Sequence, residues 1–163
     1  MRVLGIDPGT AITGYAVVEE EGGRLSLVDI GVVVTPAKTP LPSRLQQIYT
    51  GLQDVITAQR PQAAAVEQLF FSRNVRTAMT VGHARGVVLL ALADAGLDIA
   101  EYTPMQIKQA VTGYGSADKR QVQEMVRMLL SLPDIPRPDD AADAAAVAIC
   151  YLHRIKLDAL LEQ

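Results

Sequence analysis

The chain has 163 residues, 49% hydrophobic and 20% charged, proportions that exclude a disordered or fibrous polymer and suit one globular domain across residues 1–163. A formal charge of −3 and a pI near 5.3 argue against a protein that grips nucleic acid by bulk positive charge. The single Cys150 excludes an internal disulfide, no Cys/His spacing resembles a zinc site, and no apolar run is long enough to cross a bilayer. Met1-Arg2 leads straight into the first apolar run, so a reducing cytoplasm is the expected compartment.

Val3, Leu4 and Ile6 predict a buried strand over Arg2 to Asp7, closed by the Pro8-Gly9 turn. Thr13 to Glu19 and Arg24 to Thr35 predict two more strands, with Glu21-Gly22-Gly23 turning between them. After a loop from Pro36 to Pro42, Leu45, Ile48, Tyr49, Leu52, Val55 and Ile56 recur at helical spacing, with Ser43 as the expected N-cap. Pro61 separates this helix from a short strand, Ala63 to Val66, that ends in Glu67. A loop from Gln68 to Arg73 leads into a helix from about Asn74 to Asp94, stopped by Gly96.

Asp98 to Tyr102 predicts a further strand, and Thr103-Pro104 opens a helix through Val111. Gly113-Tyr114-Gly115 breaks it, and Ser116 is expected to cap the next helix, to about Leu132. Beyond a stiff loop from Pro133 to Pro138, the last helix runs from about Asp139 through Leu152 or further; the tail after His153 carries no readable signal. Three strands followed by alternating helix and strand give an α/β fold, a mixed sheet of about five strands with helices on both faces.

Acids punctuate this plan. Asp7 ends one strand and Glu67 another, so parallel neighbours would present both carboxylates at one sheet edge, where ligands of α/β folds bind. An ionised Asp beside apolar residues needs a partner, and the flanking sequence offers no cation, so a metal ion is the natural one. The alternative is an Asp-Pro-Gly turn residue bonding its own backbone. Asp140 and Asp143 lie three apart, on one helical face, in a segment whose other residues are small and apolar nearly all round. A helix cap explains one such acid, and Asp139 is the expected cap; it leaves Asp140 and Asp143 for a functional role. Four carboxylates without His or Cys describe a hard-oxygen site for Mg²⁺, with Mn²⁺ able to substitute, and paired ions suit in-line attack on a phosphodiester. With those four acids set aside as ligands, the balance of −3 becomes +1.

Seven segments in order then carry a resemblance over almost the whole length: Gly5-Ile6-Asp7-Pro8-Gly9-Thr10 with Gly14-Tyr15, Leu41-Pro42-Ser43-Arg44-Leu45, Val66-Glu67-Gln68, Gly82-His83-Ala84-Arg85-Gly86, Lys108-Gln109, Gly113 to Lys119, and Asp140-Ala141-Ala142-Asp143-Ala144. Together they resemble the RuvC family of Holliday-junction resolvases, within the ribonuclease H-like fold. The resemblance implies a homodimer that cuts opposed strands of a four-way DNA junction, with Asp7, Glu67, Asp140 and Asp143 as ligands of two metal ions per site. Some members carry a His at the first acid of the last pair; this chain keeps Asp140. A branch-migration motor is the further partner implied, and no membrane is.

The basic and aromatic residues fit that expectation. Counted from Ser116, Lys119 falls at N3, where a cation opposes the helix dipole at a cost of ~0.3–1 kcal/mol; a phosphate contact explains it better than solvation alone. The resemblance assigns Lys119 and Lys108 to the DNA backbone near the scissile bond, and Phe70 to stacking on an unpaired base. A core role suits one of Phe70 and Phe71 and leaves the other for stacking. Arg73, Asn74 and Arg76 are expected to hold the flanking backbone, while His83 is expected to be a structural histidine. Gly82 and Gly86, four apart on a helix, allow close approach of another helix, from the same core or from a second subunit. Two rivals share the general plan. A nucleotide-binding ATPase domain of the actin and Hsp70 type would use the Asp7 turn and Asp29-Ile30-Gly31, but leaves Asp140 and Asp143 unexplained. A related nuclease acting on RNA would carry the same acids.

Overall fold

The computed structural model describes residues 1–68 and 75–161. Its centre is a five-stranded sheet in the order β3-β2-β1-β4-β5. The strands are β1 (Arg2–Asp7), β2 (Ile12–Glu21), β3 (Arg24–Val34), β4 (Ala63–Glu67) and β5 (Asp98–Tyr102). The first three form an antiparallel meander, while β4 and β5 run parallel to β1. Parallel pairing needs a crossover, and α1 (Leu41–Gln59) and α2 (Val75–Asp94) provide the two. The chain continues through α3 (Pro104–Thr112), α4 (Lys119–Leu129) and α5 (Asp139–Leu161).

Strand alternation divides the core. Leu4, Ile6, Val17, Ala64 and Val66 pack beneath α1 and α2, against Ile48, Leu52, Val88 and Leu92. Val3, Ala16, Val18 and Ala65 face the other way, against α5 and its neighbours. The mixed sheet with helices on both faces is therefore as the sequence pattern implied. Among the described residues, no helix is long and apolar enough to cross a membrane.

The element ends differ in places. Helix α1 starts at Leu41 with Pro40 in the cap position, so Ser43 lies inside it; Pro42 needs no N–H partner in a first turn and permits the earlier start. Asp118, rather than Ser116, caps α4: its carboxylate accepts from the Gln121 N–H, and Gln121 reaches back to the Asp118 N–H. That reciprocal box outcompetes a lone serine and moves Lys119 from N3 to the first helical residue. Asp139 is not a cap either, being itself the first residue of α5, whose turn closes on the Pro138 carbonyl. The helix runs on to Leu161, well past His153. Asn74, the expected start of the second helix, lies outside the described residues.

Candidate active site

Register brings the first two acids together. Ile6 pairs with Val66 in the parallel β1–β4 ladder, so the next residues, Asp7 and Glu67, stand side by side on the α5 face. On its other side Asp7 pairs with Gly14 of β2. Burial and mutual repulsion set their ionisation. Asp7 is pushed up to about 8, first by desolvation and then by the charges of Glu67, Asp143 and Asp140. Glu67 is also raised by burial, against a hydrogen bond from Asp7 and the nearby charges of Lys119 and Lys108. A side-chain hydrogen bond with Glu67 further raises Asp7, while the same bond lowers Glu67.

The second pair rides on α5, and two glycines let that helix sit down on the sheet. A Cβ at Gly5 would lie 2.1 Å from the Ala144 carbonyl oxygen and 2.6 Å from the Ala148 nitrogen. One at Gly14 would lie 2.0 Å from the Asp140 carbonyl oxygen. Ala141, Ala142 and Ala144 to Ala148 are all buried on the helix, so small residues on both sides allow a backbone-to-backbone approach. The result places Asp140 and Asp143 over the ends of β1 and β2.

Lys119 is the cation of the cluster. Its Nζ lies 3.1 Å from Asp143 Oδ2 and 3.4 Å from Asp139 Oδ2. Partial burial pulls its pKa down, but these contacts outweigh that and leave it raised. Burial raises Asp143 in turn, with Lys119 opposing the shift. Arg137 holds the other oxygen of Asp139 at 2.6 Å. A cavity of about 250 Å³ opens here, lined by Glu67, Lys108, Lys119 and Asp143. A second cleft, of about 540 Å³, reaches Asp140 from the other side, between the Gly9–Ile12 turn, Arg44 and Arg76.

Among the described residues, no three His, Cys, Asp or Glu side chains converge as a ready-made metal cage. The donor set nevertheless fits a hard divalent cation: carboxylate oxygens alone, two of them on adjacent strands and a third at the lysine-lined cavity. Asp7 and Asp143 are raised first by burial and only then by neighbouring carboxylates, and a cation held among them would favour their charged forms.

Other candidates fall elsewhere. Gly82 and Gly86 lie on the exposed face of α2, where an added Cβ would meet nothing within 4 Å. His83 beside them is exposed too, not a core histidine, and Val75, Met79 and Leu90 extend that uncovered face. Arg85 pairs with Glu101 of β5 and is committed to the fold. Asp29 receives a hydrogen bond from Gln59 Nε2 at 3.0 Å on the sheet's outer strand, far in the order from β4; it cannot be a second acid beside Asp7. Phe70, Phe71, Arg73 and Asn74 lie outside the described residues.

Sheet order, helix layers and the acids on β1 and β4 define a ribonuclease H-like protein. Comparison with known proteins narrows this. Residues 3–151 match the family model of crossover junction endodeoxyribonuclease RuvC. The chain is 61% identical over 153 residues to that enzyme from Chloroflexus aggregans, covering 94% of this chain and 93% of the relative. It is 54% identical over 162 residues to the one from Syntrophomonas wolfei, covering 99% and 94%. The structure of Thermus thermophilus RuvC in complex with a Holliday junction superposes with a TM-score of 0.93 at 40% identity, covering 97% of this chain and 96% of that one. The chain belongs to the RuvC family of crossover junction endodeoxyribonucleases.

Proposed function

We propose that this chain is a metal-dependent, structure-selective endonuclease that resolves four-way DNA junctions by paired symmetric nicks. The observation that carries this reading is the in-register pairing of β1 with β4, which sets Asp7 beside Glu67 on the face that α5 crosses. Asp7, Glu67, Asp140 and Asp143 are the residues to hold the metal, two Mg²⁺ ions per site with Mn²⁺ as a substitute. When bound, these ions supply Lewis-acid polarisation of the scissile phosphate and ease the ionisation of water.

The protein's own groups do the rest. Asp7 and Glu67, both raised by burial, must be ionised to hold a cation with full charge. Lys119 and Lys108, which line one cavity with Glu67 and Asp143, are suited to grip the phosphate at the cut and to offset charge that develops there. Arg76, lining the cleft on the far side of Asp140, is suited to a flanking phosphate. In this reading Phe70 stacks on an unpaired base at the junction centre, with Arg73 and Asn74 on the adjoining backbone. The exposed α2 face bearing Gly82 and Gly86 meets its copy in a homodimer, because a junction with two-fold symmetry calls for two matched sites. Residues 1–163 act as one nuclease domain in the cytoplasm, working with a branch-migration motor.

The test is neutralisation. Asp7→Asn, Glu67→Gln, Asp140→Asn and Asp143→Asn should each abolish Mg²⁺-dependent cleavage while junction binding persists, since phosphate contacts dominate affinity. Near-normal cleavage by Asp140→Asn or Asp143→Asn would reduce those acids to helix-terminus charges and overturn the four-carboxylate site.

A further inference from the structure

Three of the four polar side chains buried most deeply among the described residues are threonines that serve a single turn. Thr10, Thr13 and Thr35 are at most 6% exposed, and a buried hydroxyl is costly unless bonded. Thr13 Oγ1 donates to the Gly9 carbonyl at 2.6 Å. Thr35 Oγ1 donates to the Thr10 carbonyl at 2.5 Å, and Thr10 Oγ1 donates to the Thr80 carbonyl of α2 at 2.7 Å. Arg44, in the first turn of α1, donates from Nε to Thr35 Oγ1 at 2.8 Å and from Nη2 to the Thr35 carbonyl. The Thr35 N–H closes the grip on the Ala11 carbonyl at 2.9 Å.

The turn held this way is the one that leaves Asp7. It is tight, since a Cβ at Gly9 would lie 2.2 Å from the Ile12 carbonyl oxygen. Its residues Gly9 to Ile12, with Arg44, also wall the cleft that reaches Asp140. Valine would fill the same volumes without burying a hydroxyl, so filling space does not account for the threonines. Hydrogen bonds add direction, and a buried chain of them resists solvent competition.

We propose that Thr10, Thr35 and Arg44 are positioning residues: they tie the turn after Asp7 to α1 and α2 and thereby fix where the Asp7 carboxylate points. The proposal rests on the nuclease reading for its functional consequence. A displacement near 1 Å at a catalytic group costs on the order of 10²-fold in rate, so loosening this turn should act on cleavage rather than on binding.

The experiment compares Thr35→Val with Thr35→Ser in the full chain. Four quantities are measured: single-turnover cleavage of a four-way junction, its Mg²⁺ dependence, junction binding in chelator, and hydrogen exchange at the amides of residues 9–12 in metal-free protein. For Thr35→Val we expect cleavage slowed by about tenfold or more, a higher half-saturating Mg²⁺, binding within about twofold of the parent and faster exchange in the turn. Thr35→Ser, which keeps the hydroxyl, should restore rate and protection. Cleavage by Thr35→Val at the parent rate, or equal damage in both variants, would overturn the proposal. If Thr35→Val does not fold, Arg44→Met decides, showing either the same pattern or parental behaviour, the latter against the proposal. If the parent itself does not cut junctions, the nuclease reading has failed on its own, and the exchange comparison still judges the relay.

Discussion

Gly14 offers the sharpest perturbation, because it touches both halves of the acid cluster. It is the cross-strand partner of Asp7, and its missing side chain is the space into which the start of α5 fits. In Gly14→Ala the new Cβ would sit 2.0 Å from the Asp140 carbonyl oxygen, 2.4 Å from its carbon and 3.1 Å from the Ala141 nitrogen. These are backbone atoms, so no side-chain rotation relieves the clash, and an ordinary contact needs the helix to retreat by more than about 1 Å. Overpacking of this kind costs typically about 1–3 kcal/mol, which a domain of this size survives, while a displacement near 1 Å at a catalytic group costs on the order of 10²-fold in rate. The expected variant is folded, binds junctions and cleaves roughly a hundredfold more slowly. Thermal melting, junction binding in chelator and single-turnover cleavage would be read on one preparation. Cleavage at the parent rate with unchanged melting would refute the claim that close packing of α5 on β2 sets the position of Asp140.

Lys119→Ala should slow cleavage by roughly 10²-fold and shallow the salt dependence of junction binding by about 0.9. Its ion pairs are half-exposed, so the metal-free protein should lose no more than about 1 kcal/mol in urea melts; a larger loss with normal cleavage would make the lysine structural. The raised Asp7 gives a pH prediction for metal-free protein. The native state keeps a proton that the unfolded chain gives up near pH 4, so stability should fall as pH rises from about 4 to about 8 and level off above that. Asp7→Asn should flatten the decline, as followed by urea denaturation in chelator across that range; an unchanged slope would place the titration elsewhere.

Much of this site is legible in the sequence because acids end strands. Asp7 and Glu67 each close a short apolar run, and a parallel pairing of those runs is enough to bring them together. The small residues around Asp140 and Asp143 likewise announce a helix seated close to its neighbours. Local competition is harder to read. Ser116 and Asp118 both precede α4, and only the reciprocal bonds with Gln121 decide for Asp118. Those bonds also relocate Lys119, so its value lies in contacts with Asp143 and Asp139 across two helices rather than in a misplaced dipole charge. His83 misleads because it sits inside a long, largely apolar helix, yet it lies with Gly82 and Gly86 on that helix's exposed face. The link from Arg44 through Thr35 and Thr10 to Thr80 includes a bond between residues 70 apart, Thr10 and Thr80, a partnership that composition and periodicity do not encode.

The central claim is that these four carboxylates cut junctions and little else. The most direct measurement incubates the protein with a synthetic four-way junction, a matched duplex and an RNA–DNA hybrid, each with Mg²⁺, Mn²⁺ or chelator. Paired symmetric nicks in the junction alone, dependent on the metal, are the expected result. Cleavage of the hybrid with the junction left intact, or cutting that persists in chelator, would contradict it.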